Sequence, residues 1–159
     1  MSDHALRVLA PVPGTARPLD TVPDPVFSQS MVGPGLAVHP DSEQGGAGDL
    51  QEARSPIAGT VAKLHPHAFV VMAPDQTRGV LVHLGIDTVD LAGEGFSLLV
   101  EQGDEVAAGT PVVRWSPSGV AALGKSPVVP VVALDAAADA LTEPADGAVD
   151  HGQPLFTWG

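Results

Sequence analysis

Residues 65–87 read HPHAFVVMAPDQTRGVLVHLGID. Two short apolar runs flank the turn-forming PDQTR, the spacing of an antiparallel hairpin. Strand alternation puts His67, Phe69 and Val71 on one face, and Leu81 and His83 on one face of the next strand. If His67 and His83 pair directly, the hairpin is centred on Asp75 and their Cβ atoms lie roughly 5 Å apart. A slip of one residue would separate them. His83 occupies the middle of GVLVHLGIDTVDL, where a strand ordinarily buries Val or Ile. Gly85 lets another backbone approach, and Asp87 supplies a carboxylate four residues on.

The same texture extends outward. Gly and Pro number 18 and 16 and punctuate short apolar runs at close intervals, the pattern of an all-β sandwich or barrel. Strands are expected over 36–39, 57–64, 67–73, 79–84, 111–115, 128–133 and 154–158. Helix is confined to short pieces, one turn over Gly95 to Val100, another over Pro117 to Leu123, and the alanine-rich LDAAADAL of 134–141. PVPGTARPL (11–19) matches PIAGTVAKL (56–64), and GDEVAAGTPVVRW (103–115) matches DGAVDHGQPLFTW (146–158). LAVHP (36–40) and LVHL (81–84) align with His39 over His83, at nearly the same offset. Two copies of a β-motif interleaved in one core account for this, and two are too few for a solenoid. The Gly- and acid-rich DSEQGGAGDLQEAR (41–54) reads as an exposed mobile loop. The first eight residues read as frayed, so that 1–159 forms one domain.

The 159 residues, 44% hydrophobic, suffice for a single core without staples. The absence of cysteine excludes disulfides, thiolate metal sites and a cysteine nucleophile. No leader-like apolar segment follows the N-terminus and no run approaches the roughly 18 apolar residues of a membrane span, so a soluble, cytoplasmic protein without direct membrane insertion is expected. Seven basic residues against 19 acidic ones, a net charge of −12, cannot build the basic face that nucleic acid requires. A basic protein partner is the natural complement.

What the histidines do has three readings. Each can be a satisfied, half-buried side chain. His65, His67 and His83 with Asp87 can ligate zinc through neutral imidazoles. Alternatively, a neutral imidazole nitrogen can carry a phosphoryl group while a neighbouring ring donates to its oxygens. Composition does not separate these.

HAFVV (67–71), VHLGIDTVDLAGEGF (82–96) and GDEVAAGTPVV (103–113), in this order and spacing, resemble enzyme IIA of the glucose-type bacterial phosphotransferase system. The similarity extends over VPDPVFSQSMVGPGLAV (22–38), SPIAGTVAKL (55–64), KSPVVPVVAL (125–134) and the GQPLF ending. The resemblance implies an antiparallel β-sandwich of the duplicated hybrid type. It also implies a phosphocarrier that takes a phosphoryl group from phosphohistidine HPr and passes it to a cysteine of a IIB domain, for uptake of a glucose- or N-acetylglucosamine-class sugar. By position His83 resembles the phosphoryl acceptor and His67 the second active-site histidine. Asp24 and Asp87 fall on the flanking acidic residues. The family fold gathers Phe27, Met31, Val32, Leu81 and Val89 as a docking centre, with Asp24, Asp87 and Asp90 on its rim.

Relatives carry a Thr shortly before the first histidine, where this chain has Leu64-His65-Pro66-His67, so that residue's role does not transfer. No cofactor is required on this reading, although His67 and His83 leave room for an interfacial zinc completed by an outside ligand. A regulatory protein that binds permeases or metabolic kinases according to its phosphorylation state is the alternative. A lysostaphin-type zinc hydrolase shares the broad architecture and an His-x-His pair, but such enzymes are exported. A biotin or lipoyl carrier needs an acceptor lysine at a hairpin tip, and neither Lys63 nor Lys125 lies in such a turn.

Overall fold

The computed structural model describes residues 5–29, 31–40 and 50–159. The first half of the chain forms β1 (Leu6–Leu9), β2 (Gly14–Pro18), β3 (Gly35–Pro40), β4 (Gln51–Arg54), β5 (Gly59–His65), β6 (Ala68–Met72) and β7 (Gly79–His83). The second half forms β8 (Phe96–Leu98), β9 (Glu105–Val106), β10 (Pro111–Trp115), β11 (Val129–Ala133), β12 (Leu141–Thr142), β13 (Gly147–Val149) and β14 (Pro154–Trp158). Two short α-helices, α1 (Pro25–Ser28) and α2 (Pro117–Ala122), interrupt them.

An eight-stranded sheet runs β13-β2-β3-β11-β7-β6-β5-β9, and two three-stranded sheets run β1-β14-β12 and β4-β10-β8. Every pairing among them is antiparallel. This is the all-β sandwich class that the sequence pattern predicts.

The repeat is visible in the hydrogen bonds. Leu9 N–H donates to the Pro56 carbonyl, and its counterpart Arg54 N–H donates to Pro11. Ala10 N–H donates to Gln153, and Ser55 N–H to Thr110. The two halves thus grip one another reciprocally, so neither copy satisfies its backbone alone.

Alternation decides what faces the core. Val80 and Val82 of β7, Val129 and Val131 of β11, and Phe69 and Val71 of β6 are buried in one cluster with Trp115, Leu155 and Phe156. Each such side chain contributes roughly 1.5–3 kcal/mol on burial. The other face of the large sheet carries a second cluster, in which Leu19, Val22 and Phe27 pack over Ala37, Val132 and Ile86, with Leu81 and Val32 against them. His83 and Leu81 alternate with Val80 and Val82, so His83 belongs to this capped face. It does not replace a core valine. It stands on the reverse side of the strand, under α1.

The structure corrects several expectations. Residues 6–8 are not frayed: β1 pairs with β14, and Val8 is fully buried. The 41–54 loop is shorter than expected, because 51–54 form β4 against β10, while 41–49 lie outside the described residues. QEAR escapes sequence reading because a short edge strand shows little apolar alternation. The turn expected over Gly95 to Val100 is strand β8, paired with β10. LDAAADAL yields only a 3-10 turn at Ala138–Ala140, followed by β12. Asp135 adopts φ 58°, a left-handed conformation that prevents helix nucleation from Leu134 onward.

Candidate functional site

The β6–β7 hairpin sets the stage for the histidines. Asp75 Oδ1 accepts from the N–H groups of Thr77 and Arg78, and Oδ2 accepts from the Arg78 guanidinium at 2.7 Å. These bonds, led by that from Thr77, hold the Asp75 carboxyl down to about 2 although its desolvation opposes them. Ala73 N–H donates to the Arg78 carbonyl, and the register that follows pairs Met72 with Gly79 and Ala68 with His83. His67 is therefore not paired directly with His83, as a turn centred on Asp75 would require. It is shifted by one residue and opposes Leu84, whose N–H donates to the His67 carbonyl at 2.7 Å. The rings meet nevertheless, because Pro66 and His67 form the turn between β5 and β6 and His67 is free of strand alternation. Their centroids are 5.3 Å apart, edge to face at 70°.

Behind His83 the chain is held by a tight loop. Gly85 has φ +84°, and a Cβ there would lie 2.6 Å from Thr88 Cγ2 and 2.8 Å from the Ser126 carbonyl oxygen. Only glycine fits. Thr88, fully buried, donates its hydroxyl to the Leu84 carbonyl at 2.8 Å and closes the loop. The Gly85 carbonyl so placed lies 2.5 Å from His83 Nδ1. A carbonyl oxygen only accepts, so Nδ1 carries the proton and the lone pair of the neutral ring resides on Nε2.

The ring is neutral for a physical reason. Burial pushes the His83 imidazole below its usual value, against the Gly85 carbonyl and the carboxylates of Asp24 and Asp87, which act to raise it. Burial also lowers His67, helped by the like charges of His83 and His65.

The cap over His83 comes from the Asp-Pro of VPDPVF. Asp24 is the N-cap of α1, with Oδ1 accepting from Val26 N–H at 2.9 Å and Pro25 in the first turn. That start turns Phe27 inward, its ring centroid 5.2 Å from His83. Phe27 is only 6% exposed, so it seats His83 and does not form the docking centre expected of it. Val26, which sequence reading missed, is exposed instead, with Met31 beside it through a backbone bond from Met31 N–H to the Val26 carbonyl. The cue was available: one helical turn that buries Phe27 turns its neighbour out. Val89 is exposed on the 3-10 turn after Asp87, whereas Val32 and Leu81 are half-buried in the capping cluster. Asp90 meets Lys125 at 3.4 Å and is partly neutralised.

As for metal, the histidine pair offers two imidazoles, but among the described residues no three His, Cys, Asp or Glu side chains group closely enough to hold an ion. Asp87 is not a third ligand within the chain.

Residues 6–138 match the family model for the phosphoenolpyruvate-dependent sugar phosphotransferase system, EIIA 1. A PTS system glucose-specific EIIA component of Staphylococcus aureus is 39% identical over 129 residues, 80% of this chain and 72% of that protein. The protein of the same description from Staphylococcus epidermidis is 35% identical over 132 residues, 82% and 74% of the two chains. The solved glucose permease IIA from Mycoplasma capricolum superposes with a TM-score of 0.87 at 31% identity, over 99% of this chain and 97% of that one. The chain belongs to the EIIA 1 family of the phosphoenolpyruvate-dependent sugar phosphotransferase system, and is a phosphocarrier component of that system.

Proposed function

We propose that His83 accepts the phosphoryl group on Nε2 from phosphohistidine HPr and passes it to a cysteine of a IIB domain, serving a glucose- or N-acetylglucosamine-class sugar in the cytoplasm. The observation that carries this is the bond between Nδ1–H and the Gly85 carbonyl, which leaves Nε2 as the nucleophile. The Nε2–P bond forms as the N–P bond of HPr breaks, and the electron pair returns to the HPr ring. The proton stays on Nδ1, hydrogen-bonded to the Gly85 carbonyl, so the phosphorylated ring is cationic and remains a good leaving group. Attack by a IIB thiolate then breaks the N–P bond and restores the neutral ring. His67 serves by donating N–H to the oxygens of the moving group. Incubation with phosphoenolpyruvate, enzyme I and HPr, followed by candidate IIB domains, tests the reading; a chain that takes no label from phospho-HPr overturns it.

Transfer needs the Nε2 lone pair free, and zinc binds through the same pair. Chelator should therefore leave exchange with HPr intact, and added zinc should slow it, measured as labelled phosphoryl per minute. Reversible loss of transfer on chelation would return the metal to the mechanism. With transfer intact under chelator, an interfacial zinc shared by His67, His83 and a partner's ligand would belong to a resting complex, not to transfer.

Docking combines exposed Val26, Met31 and Val89 with the carboxylates of Asp24 and Asp87. An apolar centre supplies affinity, and a charged rim supplies encounter rate. Raising salt from roughly 0.05 to 0.5 M shortens the Debye length from about 14 to about 4 Å, so association with HPr should slow. Asp87→Asn is a conservative probe because Asp87 sits at φ 61°, which Asn tolerates. It should lower the association rate, whereas Met31→Ser should mainly speed dissociation in stopped-flow binding. A salt-insensitive rate with Asp87→Asn silent would remove the acidic rim from docking.

A further inference from the structure

The two peptide units that follow His83 are held from outside the loop. In the Leu84–Gly85 unit, Gly85 N–H donates to the Val128 carbonyl at 3.0 Å, and the Leu84 carbonyl accepts from the Thr88 hydroxyl at 2.8 Å. In the Gly85–Ile86 unit, Ile86 N–H donates to the Ser126 carbonyl at 2.9 Å. A trans peptide is planar, and its N–H and C=O point in opposite directions. With Ile86 N–H turned to Ser126, the Gly85 carbonyl is turned the other way, onto His83 Nδ1. Its aim therefore depends on how firmly the preceding unit is held.

Gly85 makes that dependence acute. The packing around it, at φ +84°, admits no Cβ, yet glycine crosses between backbone regions more freely than any other residue. The residue that the close approach demands is thus the one most able to let its flanking peptides rotate. Thr88 opposes that rotation from a fully buried position, with its methyl group packed where a Gly85 Cβ would lie. Of the three bonds described, only the one from Thr88 is made by a side chain.

We infer that Thr88 is a positioning residue for phosphoryl transfer that acts through the Leu84–Gly85 peptide: its hydroxyl keeps the Gly85 carbonyl on Nδ1 of His83 and so selects Nε2 as the accepting nitrogen. This rests on the phosphocarrier reading proposed for His83. Without the hydroxyl, the buried Leu84 carbonyl loses its donor and the loop rotates to recover one. The Gly85 carbonyl then leaves the ring, and the single proton of the neutral imidazole is free to sit on either nitrogen. Rings protonated on Nε2 have no lone pair there and cannot attack phosphorus.

The experiment compares the full chain as wild type, Thr88→Val and Thr88→Ser. Valine keeps the shape and lacks the donor, whereas serine keeps the donor and lacks the methyl group. Two-bond proton–nitrogen correlation spectra of His83 at about pH 8, where the ring is neutral, read which nitrogen carries the proton. Single-turnover uptake from phospho-HPr reads the rate. Wild type should show the Nδ1–H form alone. Thr88→Val should show a mixture of Nδ1–H and Nε2–H forms and about tenfold slower uptake. Its affinity for HPr should stay within about threefold, since Val26 and Met31 remain exposed far along the chain from the change. Thr88→Ser should restore the Nδ1–H form and most of the rate.

The Nδ1–H form alone in Thr88→Val would overturn the inference whatever the rate, because any slowing is then an effect of packing. Equal slowing of Thr88→Val and Thr88→Ser would overturn it as well. If Thr88→Val does not fold, Thr88→Ser and Thr88→Ala, which differ by one hydroxyl group, carry the same comparison with the same outcomes. Failure of the carrier reading appears separately, as wild-type protein that takes no label on His83. The proton's place on the ring still reports on the Thr88 bond in that case.

Discussion

Phosphoryl label supplied through HPr is expected on the wild-type chain and absent from His83→Ala, with transfer reduced to background. The argument is one of atoms. Nε2 of His83 is the lone pair left when Nδ1 is tied to the Gly85 carbonyl, and the burial that keeps the ring neutral keeps that pair available. The label should be acid-labile and base-stable, as an N–P bond requires, and phosphorus–nitrogen coupling should place it on Nε2. His67 is the internal control, since it is also half-buried and lies 5.3 Å from His83. Label persisting in His83→Ala would sink the assignment and move the acceptor to the other ring. The loss should also be insensitive to pH, because no protonation state of alanine restores a nucleophile.

His67→Ala should still take the label but exchange it about 10²–10⁴-fold more slowly, the usual scale for a positioned acid–base group. The ring lies against His83 without being its strand partner, so its removal leaves the β6–β7 register and the Gly85 bond in place. On the proposed role, what is lost is an N–H donor to the oxygens as charge develops on them. His67→Gln, which restores a donor of similar reach without titrating, should recover part of the rate and flatten its pH dependence. Lowering of His67 by burial and by its two neighbouring histidines fixes the sign. The unphosphorylated site favours the neutral ring, so its protonation is confined to pH below the usual histidine range. Near-normal onward transfer by His67→Ala would remove this residue from the mechanism.

Much of this site was legible in the chain itself. The signature VHLGIDTVDLAGEGF identified the family and singled out His83 as the candidate acceptor, and the matched PVPGTARPL and PIAGTVAKL segments announced the duplication now seen in reciprocal bonds between the halves. The hairpin between the histidines was readable, but its register was not. Asp75 lies near the centre of the turn in either pairing, and only its bonds to Thr77 and Arg78 select the one found. Phe27 shows the same limit from the other side. Its place near the histidines followed from resemblance, yet whether it faces a partner or His83 depended on one helical turn begun by Asp24 and Pro25.

Sequence by itself determined the β class, the strands with strong apolar runs, the duplication and the two histidines, because each is written in local pattern or in residue identity. Tertiary structure alone decided which nitrogen of His83 is free, that Val26 and Met31 are exposed while Phe27 is buried, and that His65 stacks behind His67. Those facts depend on groups brought together from α1, the β5–β6 turn and the loop after β7. A backbone carbonyl's direction and a ring's neighbours across strands leave no trace in the order of residues, since they arise only when sheet register and loop closure have been chosen together.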